Sequence, residues 1–368
     1  MRTFALLVTI ALPAFVCGPV CAAETPTKPN ILFILADDLG RTDVGFMGCK
    51  EIRTPHLDKL AAAGAVLDAH YVQPVCSPTR AALMTGRYAT HTGVYTIVRP
   101  HAAWGLPLEE RTLAQALREA GYETAITGKW HLGEFEETYR PTGRGFDHQY
   151  GFWFGMIDYF KHTRDTTLDW HRDDQPCNDE GYSTHLIAKE ACRRIREKQP
   201  DKPLFLYLPF NAVHGPFQVP DSYLAPYDKL TGTRRTYAGM CSAMDEAVGQ
   251  VVAALEEKGL KQNTLIVFSS DNGGPSPGRI TTNGSLRAGC KIVPKIQPRM
   301  GVSFDAGEQK KALAEAWSNP YSLSQQICQV RTVTSSNREE AKPSQSANRR
   351  ILKLAGVASK SAFWATLS

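Results

Sequence analysis

The sequence predicts an α/β protein with a mostly parallel central sheet and helices on both of its faces. Short apolar runs alternate along the chain with longer segments of helical periodicity, which is typical of such a sheet. The runs are continuous, as in residues 31–36 and 204–208, and this is the pattern of strands buried on both faces. Polar residues follow the ends of the runs, where ligands of such sheets bind.

Four strands are predicted, and each is followed by residues that could bind or transfer a charged group. The strands are residues 31–36, 122–127, 204–208 and 264–270, and the residues that follow them are Asp37 and Asp38, Lys129 and His131, His214, and Asp271 and Asn272. In extended backbone Lys129 and His131 would point to the same side. Asp37 and Asp38 would repel each other without a cation, although a solvated loop with capping acids is the alternative.

Proline, glycine and capping residues predict five helices between the strands. They run from Thr54–Pro55 to Gly64, from Pro78 onward, over residues 111–120, from a cap at Ser183, and over residues 233–258. Cys76 would lie just ahead of a helix N-terminus, which lowers a thiol pKa, and Arg80 would project from the first turn. A buried structural cysteine is the alternative. Residues 139–179, rich in aromatic side chains, are predicted to be mostly loop, including residues 145–153.

The formal net charge of +5 is unevenly distributed along the chain. From Cys290 to the end there are 12 Lys and Arg against 5 Asp and Glu. The first 289 residues therefore contain 30 Lys and Arg against 32 Asp and Glu. This slightly acidic main part gives no indication of a nucleic-acid groove.

Residues 1–23 have the pattern of a secretory signal peptide, with a basic start, a short apolar run and small residues at a cleavage point. No second long apolar segment follows, so the mature chain is predicted to have no membrane span and to be exported to a periplasm, the extracellular space or a lysosome-like lumen. Removing the peptide leaves seven cysteines, so at least one would be unpaired, modified or reactive. Cys177 and Cys192 are plausible disulfide partners by their separation.

The polar strand ends predict a metal-assisted transfer site. Three carboxylates and an amide oxygen from two strand ends form an oxygen-rich set suited to Ca²⁺ or Mg²⁺. The residues are Asp37, Asp38, Asp271 and Asn272. With Arg80, Lys129, His131 and His214 around it, a cation there would hold a tetrahedral dianion or monoester and stabilise charge during transfer.

Two motifs give the chain a resemblance to a known family. Residues 74–80 and 83–87, PVCSPTR and LMTGR, resemble the first signature of the sulfatases, within the alkaline-phosphatase-like superfamily, and residues 121–133 are similar to the second. The resemblance covers roughly residues 30–289, looks closest to arylsulfatase B-like members, and implies their fold for a catalytic domain over residues 24–289.

The resemblance also implies a chemistry for the site. Cys76 would be oxidised during export to formylglycine by a maturation enzyme, and the hydrated aldehyde would attack the sulfur of a sulfated sugar or glycan. One Ca²⁺ would be bound by Asp37, Asp38, Asp271, Asn272 and the modified residue 76. Arg80 and Lys129 would hold the hydrate and the sulfate, His214 would assist the leaving alcohol, and His131 would help to expel sulfate.

The pattern breaks at Cys290, where the family has a lysine that contacts sulfate, and Lys291 comes one position late. Residues 290–368 form an atypical basic tail of uncertain fold in place of the family's smaller C-terminal subdomain. A frameshift or sequence error is the hypothesis, and a genuinely divergent C-terminus is the alternative. Two further functions remain open: an inactive or binding-only protein, and a phosphoesterase of the same superfamily, for which a Ser/Thr nucleophile and His-rich two-zinc ligation are not evident.

Overall fold

The computed structural model describes residues 28–67, 70–275 and 280–284, together with the backbone of residues 299–300 and 303–305. The predicted signal peptide and most of the predicted tail therefore lie outside the described residues. All described residues belong to one compact unit, and residues 331–368 lie outside the described part.

Within the described residues the chain forms thirteen strands and five α-helices. The strands are β1 (Asn30–Ala36), β2 (Gly64–Val66), β3 (His70–Tyr71), β4 (Glu123–Lys129), β5 (His148–Phe152), β6 (Thr163–Arg164), β7 (Thr167–Leu168), β8 (His171–Arg172), β9 (Gln175–Pro176), β10 (Leu204–Pro209), β11 (Thr264–Ser270), β12 (Arg299–Met300) and β13 (Ser303–Asp305). The helices are α1 (Pro55–Ala63), α2 (Cys76–Thr85), α3 (Leu113–Glu119), α4 (Ser183–Glu197) and α5 (Gly232–Glu257). Short 3₁₀ turns connect several of them.

Nine of these strands form the central sheet, in the order β2-β13-β11-β1-β10-β4-β5-β8-β9. The five central strands, β11 to β5 in this order, are all parallel, whereas the outer pairs are antiparallel. The mostly parallel sheet and its four predicted strands are confirmed. The register pairs Ala36 with Ser270 and Leu35 with Pro209, so β1, β10 and β11 end side by side.

Alternate residues of the central strands pack on opposite faces of the sheet. In β1, Leu32 and Ile34 join the cluster formed with α1, α4 and α5. Ile31 and Phe33 join the cluster formed with α2 and α3. Helices therefore cover both faces, as predicted, and the continuous apolar run of β1 is explained by burial on both sides.

Two predicted helix starts were wrong by a short distance. Helix α2 begins at Cys76, with Val75 as N-cap, so Pro78 is its third residue. Helix α4 begins at Ser183 with Tyr182 as N-cap, and the Ser183 hydroxyl makes no cap hydrogen bond. That hydroxyl instead accepts a hydrogen bond from Asn211 Nδ2 at 2.8 Å, so a tertiary contact replaces the local one.

The prediction of loop over residues 145–153 was also wrong, because β5 lies within it. All five residues of β5 are buried, and the strand pairs in parallel with β4 on one side and antiparallel with β8 on the other. Its sequence, HQYGF, is too polar to be recognised as a buried strand, and pairing within the sheet determines its conformation.

The suggested Cys177–Cys192 disulfide is not formed. The described cysteines are all free: Cys49, Cys76, Cys177, Cys192 and Cys241. No helix in the part of the chain that the structure describes combines the length and apolar character needed to cross a membrane.

Candidate active site

The nine residues predicted for the site meet at the carboxyl edge of the sheet. They are Asp37, Asp38, Cys76, Arg80, Lys129, His131, His214, Asp271 and Asn272, and every one of them is buried. Their proximity follows from the parallel register of the strands that end there. Their individual roles remain predictions.

An oxygen-rich pocket is formed by four of these residues: Asp37, Asp38, Asp271 and Asn272. The amide of Asp271 donates to the carbonyl of Ala36 at 2.9 Å, which continues the pairing of β1 with β11 beyond the strands. The amide of Asp38 donates to Asp271 Oδ1 at 3.2 Å, and Asn272 Nδ2 donates to Asp38 Oδ1. Asp38 has a φ of 58°, a left-handed conformation that Asp adopts more readily than most residues.

The pocket fits an oxygen-preferring cation. Asp37 Oδ1 and Asn272 Oδ1 are buried and have no hydrogen-bond partner among the described residues. A buried oxygen without a partner is costly, and cation binding would satisfy both atoms. Ligand atoms of Asp37, Asp38 and His214 lie within 4.8 Å of one another. The donor set, mostly carboxylate and amide oxygen, suits Ca²⁺ or Mg²⁺.

Two fully buried cations face these carboxylates. Lys129 Nζ lies 2.5 Å from Asp37 Oδ2, and Arg80 Nη2 lies 2.8 Å from Asp271 Oδ2. Arg80 Nη1 also donates to the carbonyl of Lys129 at 3.1 Å, so the two cations are held together. Burial is the largest single effect and would lower the pKa of the Lys129 ammonium, but the negative charges around it, with Asp37 the strongest, together outweigh burial and the pKa is raised. Both cations therefore stay charged.

Cys76 is the first residue of α2 and is 5% exposed. Burial raises the pKa of its thiol to about 12, and the charges of Lys129 and Arg80 offset this only in part, since Asp271 and Asp37 oppose them. The predicted lowering of the thiol pKa was therefore wrong, because desolvation outweighs the helix N-terminus. The thiol as encoded is neutral at physiological pH and is a poor nucleophile.

Side-chain contacts fix the position of α2. The amide of Gln73 donates to Thr79 Oγ1 at 2.9 Å, which holds the chain entering the helix against its first turn. Ser77 Oγ accepts a hydrogen bond from the amide of Val98 at 3.1 Å. Cys76 and Arg80, on the same turn, are thereby held beside the strand ends.

A close backbone approach requires glycine immediately before Lys129. Gly128 has a φ of 131°, and a Cβ at this position would lie 1.9 Å from the carbonyl oxygen of Pro209 in β10. Glycine is the residue that permits both the conformation and the contact. It lets β4 pass close to β10 and deliver Lys129 to Asp37.

His131 reaches the site by a different backbone path from the one predicted. Strand β4 ends at Lys129, and His131 has a φ of 61°, so the predicted extended backbone was wrong. Its Nε2 lies 2.9 Å from the carbonyl oxygen of Val98, whereas Nδ1 has no partner among the described residues. Burial, together with the charges of Lys129 and Arg80, lowers the pKa of His131 well below its ordinary value. The ring is neutral.

Asp169, which sequence reasoning missed, supports the backbone next to His131. Its two oxygens accept from the amides of Trp153 and Phe154 at 3.0 and 2.7 Å. The carbonyl of Trp153 in turn accepts from the amide of His131 at 3.0 Å. A Cβ at Gly155 would lie 2.6 Å from His131 Cε1, so this segment also confines the ring.

The Asp169 carboxyl predicts a pH dependence of stability. Burial raises its pKa from 3.8 to about 7. The pKa of the Asp169 carboxyl is therefore higher in the folded state than in the unfolded state. The contribution of this carboxyl to the free energy of unfolding is fully present below pH 3.8, falls as pH rises above that value, and is lost once pH has risen through 7. We expect Asp169→Asn, which cannot ionise, to remove a fall in unfolding free energy on the order of 2 to 3 kcal/mol between about pH 5 and 8. Urea unfolding across this range measures it, and equal slopes for the two proteins would contradict it.

His214 lies in the loop after β10, which is joined to the loop after β1. The amide of Asp37 donates to the carbonyl of Ala212 at 2.9 Å, and the amide of Val213 donates to the carbonyl of Asp37 at 2.8 Å. His214 Nδ1 lies 2.6 Å from the carbonyl of Gly215, and Nε2 lies 3.6 Å from Asp38 Oδ2. The ring therefore presents Nε2 to the pocket.

Comparison with known proteins gives one consistent family. The sulfatase family model matches residues 29–329. Arylsulfatase J of Mus musculus is 42% identical over 266 residues, covering 70% of this chain and 44% of that protein. N-acetylgalactosamine-6-sulfatase of Canis lupus familiaris is 32% identical over 323 residues, covering 80% of this chain and 58% of that protein. The chain thus spans about half the length of these curated relatives.

A solved structure is similar in fold and sequence. Ps i-CgsB in complex with k-i-k-neocarrahexaose superimposes with a TM-score of 0.70 at 35% identity, over 75% of this chain and 65% of that one.

Proposed function

The chain belongs to the sulfatase family, and on that premise we propose that it hydrolyses sulfate esters of a sulfated sugar or glycan. The observation that carries the proposal is the buried network of Asp37, Asp271, Arg80 and Lys129 beside Cys76. Burying four charged groups is costly for stability alone, and a sheet edge lined in this way favours binding and transfer of a charged group.

We assign the cation ligands to Asp37, Asp38, Asp271, Asn272 and the modified residue 76. When bound, calcium would supply positive charge at a sulfate oxygen, and formylglycine made from Cys76 by a maturation enzyme would supply a hydrated aldehyde as nucleophile. The two buried oxygens without hydrogen-bond partners support the cation. The neutral thiol supports modification, since Cys76 as encoded is a weak nucleophile.

Arg80 and Lys129 would orient the sulfate. Both are 0% exposed and each is already bonded to a carboxylate, so they are held in place before substrate arrives. Charges preorganised in a water-poor site stabilise a transferring dianion more strongly than the same charges in water.

The two histidines are suited to opposite proton transfers. The Val98 carbonyl requires a proton on Nε2 of His131, which leaves Nδ1 as the acceptor in a neutral ring and suits His131 to receive a proton when sulfate is expelled. The Gly215 carbonyl likewise requires a proton on Nδ1 of His214. Nε2 of His214, when protonated, would donate to the leaving alcohol.

The substrate class rests on the relatives. One is named as an N-acetylgalactosamine-6-sulfatase, and another is described in complex with a neocarrahexaose, so a sulfated carbohydrate is the proposed substrate. The pattern of residues 1–23 supports export to a periplasm, the extracellular space or a lysosome-like lumen.

Sulfate release from a panel of sulfated glycans and aryl sulfates tests the function. The full chain would be produced with a formylglycine-generating enzyme and assayed with calcium. We expect sulfate to be released, and the phosphate ester of the same leaving group to react more slowly. Faster phosphate hydrolysis would favour the phosphoesterase alternative. Binding of calcium and glycan without sulfate release would favour a binding-only protein.

A further inference from the structure

Tyr159 is a buried polar residue that contacts the His214 turn. Its side chain is 1% exposed, and its hydroxyl lies 2.7 Å from the carbonyl oxygens of both Asn211 and His214. The hydroxyl has one proton, which is shared between the two carbonyls. The amide of His214 also donates to the carbonyl of Asn211 at 3.0 Å. Tyr159 therefore closes the turn that carries His214.

The backbone of Tyr159 is itself fixed to neighbouring elements. Its amide donates to Gln218 Oε1 at 2.9 Å, and its carbonyl accepts from the amide of Ser183 at 2.8 Å. Gln218 Nε2 in turn donates to Asp158 Oδ2 at 2.8 Å. The hydroxyl is thus presented from a rigid support at the start of α4.

We propose that Tyr159 is a positioning residue that holds the backbone of His214 so that Nε2 faces the leaving alcohol of the substrate. This inference rests on the proposed function and deepens it. Without the hydroxyl, the carbonyl of His214 loses a buried donor and the turn loosens, which moves the imidazole away from the oxygen it must protonate. A displacement of about 1 Å in such a group can cost roughly 100-fold in rate.

Tyr159→Phe removes the hydroxyl and leaves the ring in place. Tyr182→Phe is the matched control, because Tyr182 is 4% exposed, stacks on Tyr159 with ring centroids 5.4 Å apart, and donates to the carbonyl of Gln218 at 3.1 Å. A merely structural loss would affect the two variants alike.

The decisive readout is the dependence of kcat on the leaving group. We expect Tyr159→Phe to lower kcat roughly tenfold for sugar and alkyl sulfates, which need a proton on the leaving oxygen, and less than about twofold for nitrophenyl sulfate, which does not. In a His214→Ala background, Tyr159→Phe should cause no further loss. Equal losses for all leaving groups, or additive losses in the double variant, would overturn the proposal.

A second measurement does not depend on turnover. Hydrogen exchange of the His214 amide should be faster in full-length Tyr159→Phe than in Tyr182→Phe, and equal exchange would overturn the proposal. If the wild-type protein releases sulfate from no ester, the proposed function fails, and the exchange result still decides whether Tyr159 holds the turn.

Discussion

Replacing Cys76 with alanine is expected to abolish sulfate release, by roughly a thousandfold or more in kcat. Under the proposed mechanism, the substitution removes the precursor of the nucleophile, whereas Arg80 and Lys129, the proposed sulfate-binding residues, remain. Bound sulfated substrate without turnover is therefore the expected phenotype. Sulfate release by the full chain, produced with the maturation enzyme, measures the effect, and mass spectrometry of the Cys76 peptide measures its conversion in the wild type.

Two variants control this experiment. Cys192→Ala removes another buried thiol, on α4, and should keep both conversion at position 76 and activity. Cys76→Ser should release at most one equivalent of alcohol, because a serine sulfate ester lacks the second hydroxyl that expels sulfate. Full hydrolase activity with an unmodified thiol at position 76 would reject the mechanism.

The meeting of the site residues could be predicted from the sequence because parallel strands end at the same edge of a sheet. Asp37 and Asp271 are 234 positions apart, yet Asp37 directly follows one apolar run and Asp271 follows another after Ser269 and Ser270. The register of β1 with β11 then brings them together. The apolar runs, together with the polar residues that follow them, therefore indicate the sheet edge at which the candidate site lies.

The supporting residues could not be predicted, because their partners are remote in sequence and their own local pattern is weak. Tyr159 contacts a turn 52 and 55 positions away, and Asp169 bonds amides 16 and 15 positions away in a segment that reads as loop. The left-handed backbone of His131 has no sequence signal either, since it follows from packing against Gly155 and Val98. The aromatic enrichment of residues 139–179 marked this segment in the sequence, but it did not single out Tyr159 or Asp169.

Because calcium is the proposed ligand of the strand-end carboxylates, we expect its removal to destabilise the protein as well as inactivate it. Asp37 and Asp271 then keep Lys129 and Arg80 as charged partners, and the buried Asp37 Oδ1 and Asn272 Oδ1 keep no partner among the described residues. At a calcium concentration 100 times Kd, binding to the folded state adds about 2.7 kcal/mol to the free energy of unfolding. Urea unfolding with and without calcium measures this increment, and activity is not needed.

Asp38→Asn identifies the site responsible for that increment. The substitution is nearly isosteric and removes one ligand charge, so calcium should bind roughly tenfold or more weakly. Asp43→Asn is the control, because Asp43 is also buried just beyond β1 but is bonded to Arg234 Nη1 at 2.8 Å and Tyr237 at 3.1 Å. It should lower stability equally with and without calcium. Replacing a ligand must change the affinity for the ion, whereas replacing a structural carboxylate changes only the stability of the fold. If the calcium increment were lost in Asp43→Asn but kept in Asp38→Asn, the proposed cation site at the strand ends would be wrong.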